Sequence, residues 1–191
     1  GLKGVLSVDL HCQAAVKDVH SANAPLVPSP VWRLVWALNT LKNEKEEILV
    51  EGFYDRVEPP STEELECLKN IPFEEPEEKK ELGLKVFLRN LSGMEALKAL
   101  LYQPTSTING ILSGYTGAGS KTVLPNKAMA KLDFRLVAHQ SPEEIVEKLR
   151  THLKKHGFGD VKVIMHGSTE PTKTPIIDNF VKTVVKTAEK A

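Results

Sequence analysis

Two segments of this chain alternate apolar and polar residues with a period of two, and each leads into a helix start. In the first, Leu6, Val8, Leu10 and Cys12 alternate with Ser7, Asp9 and His11; in the second, Ala128, Leu132, Phe134 and Leu136 alternate with Lys131, Asp133 and Arg135. That period belongs to a strand with one buried face. After the first strand, Ser29 is placed to cap a helix whose first position is Pro30, and Val31, Leu34 or Val35, Leu38 and Leu41 follow at helical spacing. After the second, Ser141-Pro142-Glu143-Glu144 predicts a helix start with cap, proline and reciprocal glutamate. Ile145, Leu149 and Leu153 form that helix's apolar side, and Gly157 stops it.

Further strands are predicted at Glu47–Phe53, Thr105–Ser113 and Val161–Met165. Two helices that each follow a strand, with hairpin pairing between, suggest an α+β fold. The expected architecture is a ferredoxin-like two-layer sandwich, an antiparallel sheet with two helices on one face. Trp32 and Trp36, four apart on a helix that is apolar over most of its circumference, read as core or interface anchors.

Residues 55–104 break this rhythm and read as a helical insertion. Ser61 to Glu64 has capping-box spacing, and the run Glu74 to Glu81 is best explained as solvated helix surface. At the other end, Ile176, Ile177, Phe180, Val181, Val184, Val185 and Ala188 fall on one face of a trailing helix. The sandwich has no place for a third covering helix, so this one is expected to dock on a surface outside these 191 residues.

The 25 basic and 25 acidic residues cancel, giving no field that would favour nucleic acid or an anionic membrane. No apolar run is long enough to span a bilayer, and no signal peptide is visible. Cys12 and Cys67 lie far apart without CxxC spacing, which makes a reducing cytoplasm the default location.

Chemistry is most plausible in two places. His20 lies in Asp18-Val19-His20-Ser21, at a strand exit where a side chain can leave the core; an ordinary surface histidine is the competing reading. Gly114-Tyr115-Thr116-Gly117-Ala118-Gly119-Ser120-Lys121-Thr122 is rich in glycine but is no phosphate loop. Ser120 separates Gly119 from Lys121, and an extended pattern follows where a helix is required. Asp9 and His11 share a strand face and read as a solvated neighbour pair.

Taken with Gly110-Ile111, Leu124-Pro125-Asn126, Phe134-Arg135-Leu136-Val137 and Leu2-Lys3-Gly4, these stretches resemble the dimerisation (lid) domain of the two-zinc aminoacylase and dipeptidase superfamily. That superfamily includes carnosinase-type dipeptidases, glutamate carboxypeptidases, acetylornithine deacetylase and succinyl-diaminopimelate desuccinylase, and the longer insertion is most like the dipeptidase branch. The resemblance implies that residues 1–171 form the lid and that 172–191 begin a truncated catalytic domain. It implies a homodimer through the lid, and two zinc ions held by the missing catalytic domain. His20 would be supplied to the partner's active site to stabilise an oxyanion, with Asp18 fixing its tautomer. Thr122 would hydrogen-bond substrate or the same oxyanion, and Arg135 would receive the carboxylate of a dipeptide or N-acyl amino acid. No His-x-Asp metal pair occurs here, so this stretch by itself is expected to bind no metal and to be inactive. Two other readings compete: a free-standing ferredoxin-like module that binds a small molecule or regulates, and a purely structural domain in which His20 has no part.

Overall fold

The computed structural model describes residues 1–190. Its central sheet is antiparallel throughout, with four strands in the order β3-β5-β1-β6. β1 spans Gly4–Gln13, β3 Thr105–Ser113, β5 Lys127–Leu136 and β6 Lys162–Thr169. Helices α1 (Pro30–Asn39) and α5 (Pro142–Lys155) supply the two connections that cross the sheet and cover one face. Counted along these four strands and two helices, the order is the ferredoxin-like strand–helix–strand–strand–helix–strand, in a mixed α+β sandwich.

The predicted alternation accounts for the core. Leu6, Val8, Leu10 and Cys12 of β1 and Ala128, Ala130, Leu132, Phe134 and Leu136 of β5 face the helices and are all but excluded from solvent. Leu34 and Ala37 of α1 and Ile145, Val146, Leu149 and Leu153 of α5 close over them. Ser29 Oγ accepts from Trp32 N–H, with Pro30 inside the first turn of α1.

Several expectations need correction. Glu47–Phe53 forms no strand: Lys42 and Ile48 make one isolated bridge, and Ile48, Val50 and Phe53 enter the core from successive turns. Ser141 does not cap α5; its hydroxyl donates to Glu143 instead. Trp32 and Trp36 are not covered within this chain. They stack on each other at 5.9 Å and stay more than half exposed.

The insertion carries three short helices: α2 (Thr62–Lys69), α3 (Glu75–Leu82) and α4 (Gly93–Tyr102). α2 has the capping box its sequence predicts, with Ser61 and Glu64 each receiving the other's backbone N–H. α3, which carries the charged run, buries nothing. Glu64 also meets Lys173 at 2.8 Å, tying the insertion to the outgoing segment. There Leu2 and Thr172 exchange backbone hydrogen bonds, so the chain enters and leaves the sandwich side by side. Gly4 permits this approach, because a β-carbon there would lie 2.7 Å from Pro171 and from the Thr169 carbonyl. The trailing helix α6 (Asn179–Ala188) buries no residue against the rest of the chain.

No helix among the described residues is long and apolar enough to cross a membrane.

Candidate functional site

β1 ends at Gln13, and the chain then rises into a small ribbon away from the main sheet. Its two strands, β2 (Val19–His20) and β4 (Val123–Leu124), pair antiparallel, with His20 opposite Val123. Ser21 N–H extends the pairing by donating to the Thr122 carbonyl over 3.1 Å. This register places the two side chains together: His20 Nε2 lies 3.1 Å from Thr122 Oγ1, although 102 residues separate them.

The base of the ribbon is stapled. Asp18 Oδ1 accepts from Asn126 N–H at 2.9 Å, Asn126 Nδ2 donates to the Val16 carbonyl, and the Asn126 carbonyl accepts from Ala14 N–H. Asp18 is thus committed to the backbone of the neighbouring turn and does not fix the His20 tautomer. The imidazole Nδ1 instead accepts from Ala22 N–H at 3.1 Å, capping the short 3-10 turn Ser21–Asn23. A glycine-rich segment, with Gly114 and Gly119 in the left-handed region, carries the chain from β3 into this ribbon.

Arg135 is not part of this cluster. It lies near the far end of β5, eight residues beyond Lys127, or roughly 27 Å along an extended strand. There it sits opposite Val5 and Thr105 in the register, and its Nε donates to Asp133 Oδ1 over 3.1 Å. Lys3 is close by, and its ammonium pKa is lowered by burial first and by the Arg135 charge second.

A second polar cluster occupies the middle of the uncovered sheet face. Asp9 is nearly inaccessible even though no helix covers it. Lys131, its register neighbour, donates to it at 3.1 Å, and His166 Nε2 lies 2.8 Å from the same carboxylate, with His11 at 3.7 Å. Burial pushes the Asp9 pKa up, but the hydrogen bonds from Lys131 and His166 outweigh it and hold the carboxyl below its ordinary range. Asp9 is therefore no solvated neighbour of His11. His166 follows Ile164 on that same face of β6, and a β-bulge leaves it unpaired between Met165 and Gly167. Alternation alone could not reveal the bulge.

Among the described residues, no group of three or more His, Cys, Asp or Glu side chains could hold a metal ion. The residues present thus do not fit a zinc centre. Cys12 is buried, and its thiol is pushed up to about 11 chiefly by that burial, which disqualifies it as a nucleophile.

The arrangement pairs a partly open sandwich with an exposed, rigidly based histidine arm, and comparison with known proteins gives its class. A family model described as a peptidase dimerisation domain matches residues 1–161. The chain belongs to the M20 peptidase family, as its dimerisation domain. It is 29% identical over 171 residues to a Beta-Ala-His dipeptidase of Rattus norvegicus, covering 86% of this chain and 34% of that protein. Among solved structures, the M20 family metallo-carboxypeptidase Sso-CP2 of Sulfolobus solfataricus superposes with a TM-score of 0.92 at 41% identity, over 100% of this chain and 49% of that one. The dipeptidase Dug1p of Saccharomyces cerevisiae, 20% identical, shares the fold with a TM-score of 0.84 over 100% of this chain and 41% of its own. The chain spans about a third of the length of the curated relatives it matches.

Proposed function

We propose that this chain is the dimerisation and substrate-clamping domain of a zinc-dependent peptidase acting on dipeptides or N-acyl amino acids. In this reading His20 completes the active site of the partner subunit. The observation that carries it is the juxtaposition of His20 Nε2 and Thr122 Oγ1, 3.1 Å apart on an exposed, stapled ribbon. Two polar hydrogens so placed suit an oxygen that gains negative charge when a nucleophile adds to an amide. Among the described residues no group of side chains could hold a metal ion, and in this reading the metal centre would be supplied by the catalytic domain. Related proteins are named as dipeptidases, metallodipeptidases and a metallo-carboxypeptidase, which supports the substrate class. Two zinc ions would be held by the catalytic domain, of which residues 172–191 would be the beginning and 1–171 the inserted lid. An α6 that buries nothing here fits that division.

The pairing surface would be the β3 edge with α1 beside it. β3 has a free edge and exposes Ile108, Ile111 and Leu112, while α1 exposes Trp32, Val35 and Trp36. An edge strand of that character calls for a partner, and a twofold pairing of identical edges satisfies both copies. Arg135, at the end where the chain enters and leaves the sandwich, would bind a substrate carboxylate through its guanidinium. In this reading it would serve the active site of its own subunit, and His20 that of the partner. Both cysteines are free, which suits a reducing cytoplasm.

The decisive experiment is His20→Ala in the full-length enzyme. Loss of one donor aimed at developing charge should lower kcat by about 10²–10³-fold, equivalent to roughly 3–4 kcal/mol, with KM little changed. Turnover equal to wild type would remove His20 from the chemistry.

A further inference from the structure

The two ring nitrogens of His20 are bound differently, and the difference settles which of them carries a proton. Nδ1 accepts from Ala22 N–H at 3.1 Å. A nitrogen that accepts keeps its lone pair, so in the neutral ring the proton resides on Nε2. Nε2 in turn lies 3.1 Å from Thr122 Oγ1, whose lone pair can take that hydrogen bond. Asp18, the acid two residues before His20, is spent on Asn126 N–H. The opposite tautomer would set an Nδ1–H against the Ala22 N–H, two donors facing each other.

We propose that the Ala22 backbone amide is the positioning group of this arm: it locks His20 as the Nε2–H tautomer, so that the nitrogen nearest Thr122 is a hydrogen-bond donor. Thr122 Oγ1 is then the resting acceptor of that donor. Because Thr122 accepts from the ring, its own hydroxyl hydrogen is free, and an incoming anionic oxygen can displace the resting bond and collect both hydrogens. The arm is thereby suited to an oxyanion and unsuited to removing a proton, since its outward nitrogen has no lone pair to offer. This inference rests on the oxyanion reading for its purpose but not for its test.

The test is long-range proton–nitrogen correlation NMR on the 191-residue chain with ¹⁵N-labelled histidine, at mildly alkaline pH, with His20 identified by the signals missing from His20→Gln. The expected spectrum has a pyridine-like Nδ1 and a pyrrole-like Nε2. Ala22→Gly, which keeps the amide hydrogen, should preserve it. Ala22→Pro removes that hydrogen and should draw the two nitrogen shifts together as the tautomers mix. Proline also constrains Ser21 and can disturb the turn, so a substitution-free measurement stands beside it: a through-hydrogen-bond coupling between Ala22 N and His20 Nδ1. A pyrrole-like Nδ1 in the wild type, absence of that coupling, or an unmixed Nε2–H pattern in a folded Ala22→Pro chain would each overturn the proposal. Wild-type turnover by His20→Ala in the full-length enzyme would instead defeat the oxyanion reading and leave the tautomer result standing.

Discussion

At the scale of single residues, the buried carboxylate of Asp9 offers the sharpest test of how the open sheet face is held. Its folded-state pKa is depressed, so its contribution is fully present above the unfolded value, about 3.9, and is lost as pH falls through the lower folded value. Asp9→Asn should therefore cost about 1–3 kcal/mol at neutral pH, because Lys131 and His166 lose a charged acceptor. The variant should then show a flatter stability curve than wild type below about pH 4. Urea unfolding at pH 7 and at pH 3 checks this: an equal gap at both values would mean that the charge is irrelevant. Sequence showed Asp9 and His11 on one face, but that the third member, His166, meets the same carboxylate depends on the pairing of β6 with β1, which alternation within one strand does not encode. The resemblance singled out His20 and Thr122; that they touch, and that Ala22 N–H meets the imidazole while Asp18 meets Asn126 N–H, depends on hydrogen bonds that spacing does not encode.

At the scale of elements, the strands and helices with one strong apolar face were readable, and those whose burial is set by neighbours were not. β1 and β5 carry an unbroken period of two, and α2 announces its own start with Ser61 and Glu64. Glu47–Phe53 resembles a strand in composition, yet its apolar residues anchor successive turns beside α5, where Gln140 Nε2 also donates to the Phe53 carbonyl. Glu64 joins two devices, the cap of α2 and the ion pair with Lys173. Burial raises its pKa, and the bonds from Lys173 and the Ser61 amide lower it further than burial raises it. Glu64→Gln keeps the return bond to Ser61 N–H and loses only the charge pairing, an expected loss of about 1 kcal/mol. Glu64→Ala loses both, and about 2 kcal/mol is expected. Urea midpoints for the two variants measure the difference, and identical midpoints would show that the cap contributes nothing.

At the scale of the whole molecule, Trp32 and Trp36 separate folding from association. Both are more than half exposed in one copy, so replacing the pair by Glu should change the stability of a monomer by no more than about 0.5 kcal/mol. If they anchor the twin, the same change should weaken the dimer by at least about 100-fold, which sedimentation velocity across a dilution series would reveal. An unaltered dimer would move the pairing surface elsewhere. The spread of His20 and Arg135 to opposite ends of β5 reaches further. If one end serves the neighbour and the other serves its own subunit, two crippled enzymes can repair each other. Subunits carrying His20→Ala and subunits carrying Arg135→Ala, each poorly active alone, would form hybrids in which one centre inherits both lesions and the other none. Random reassortment of equal amounts would restore about a quarter of wild-type activity, whereas two residues of one shared centre would give no recovery at all.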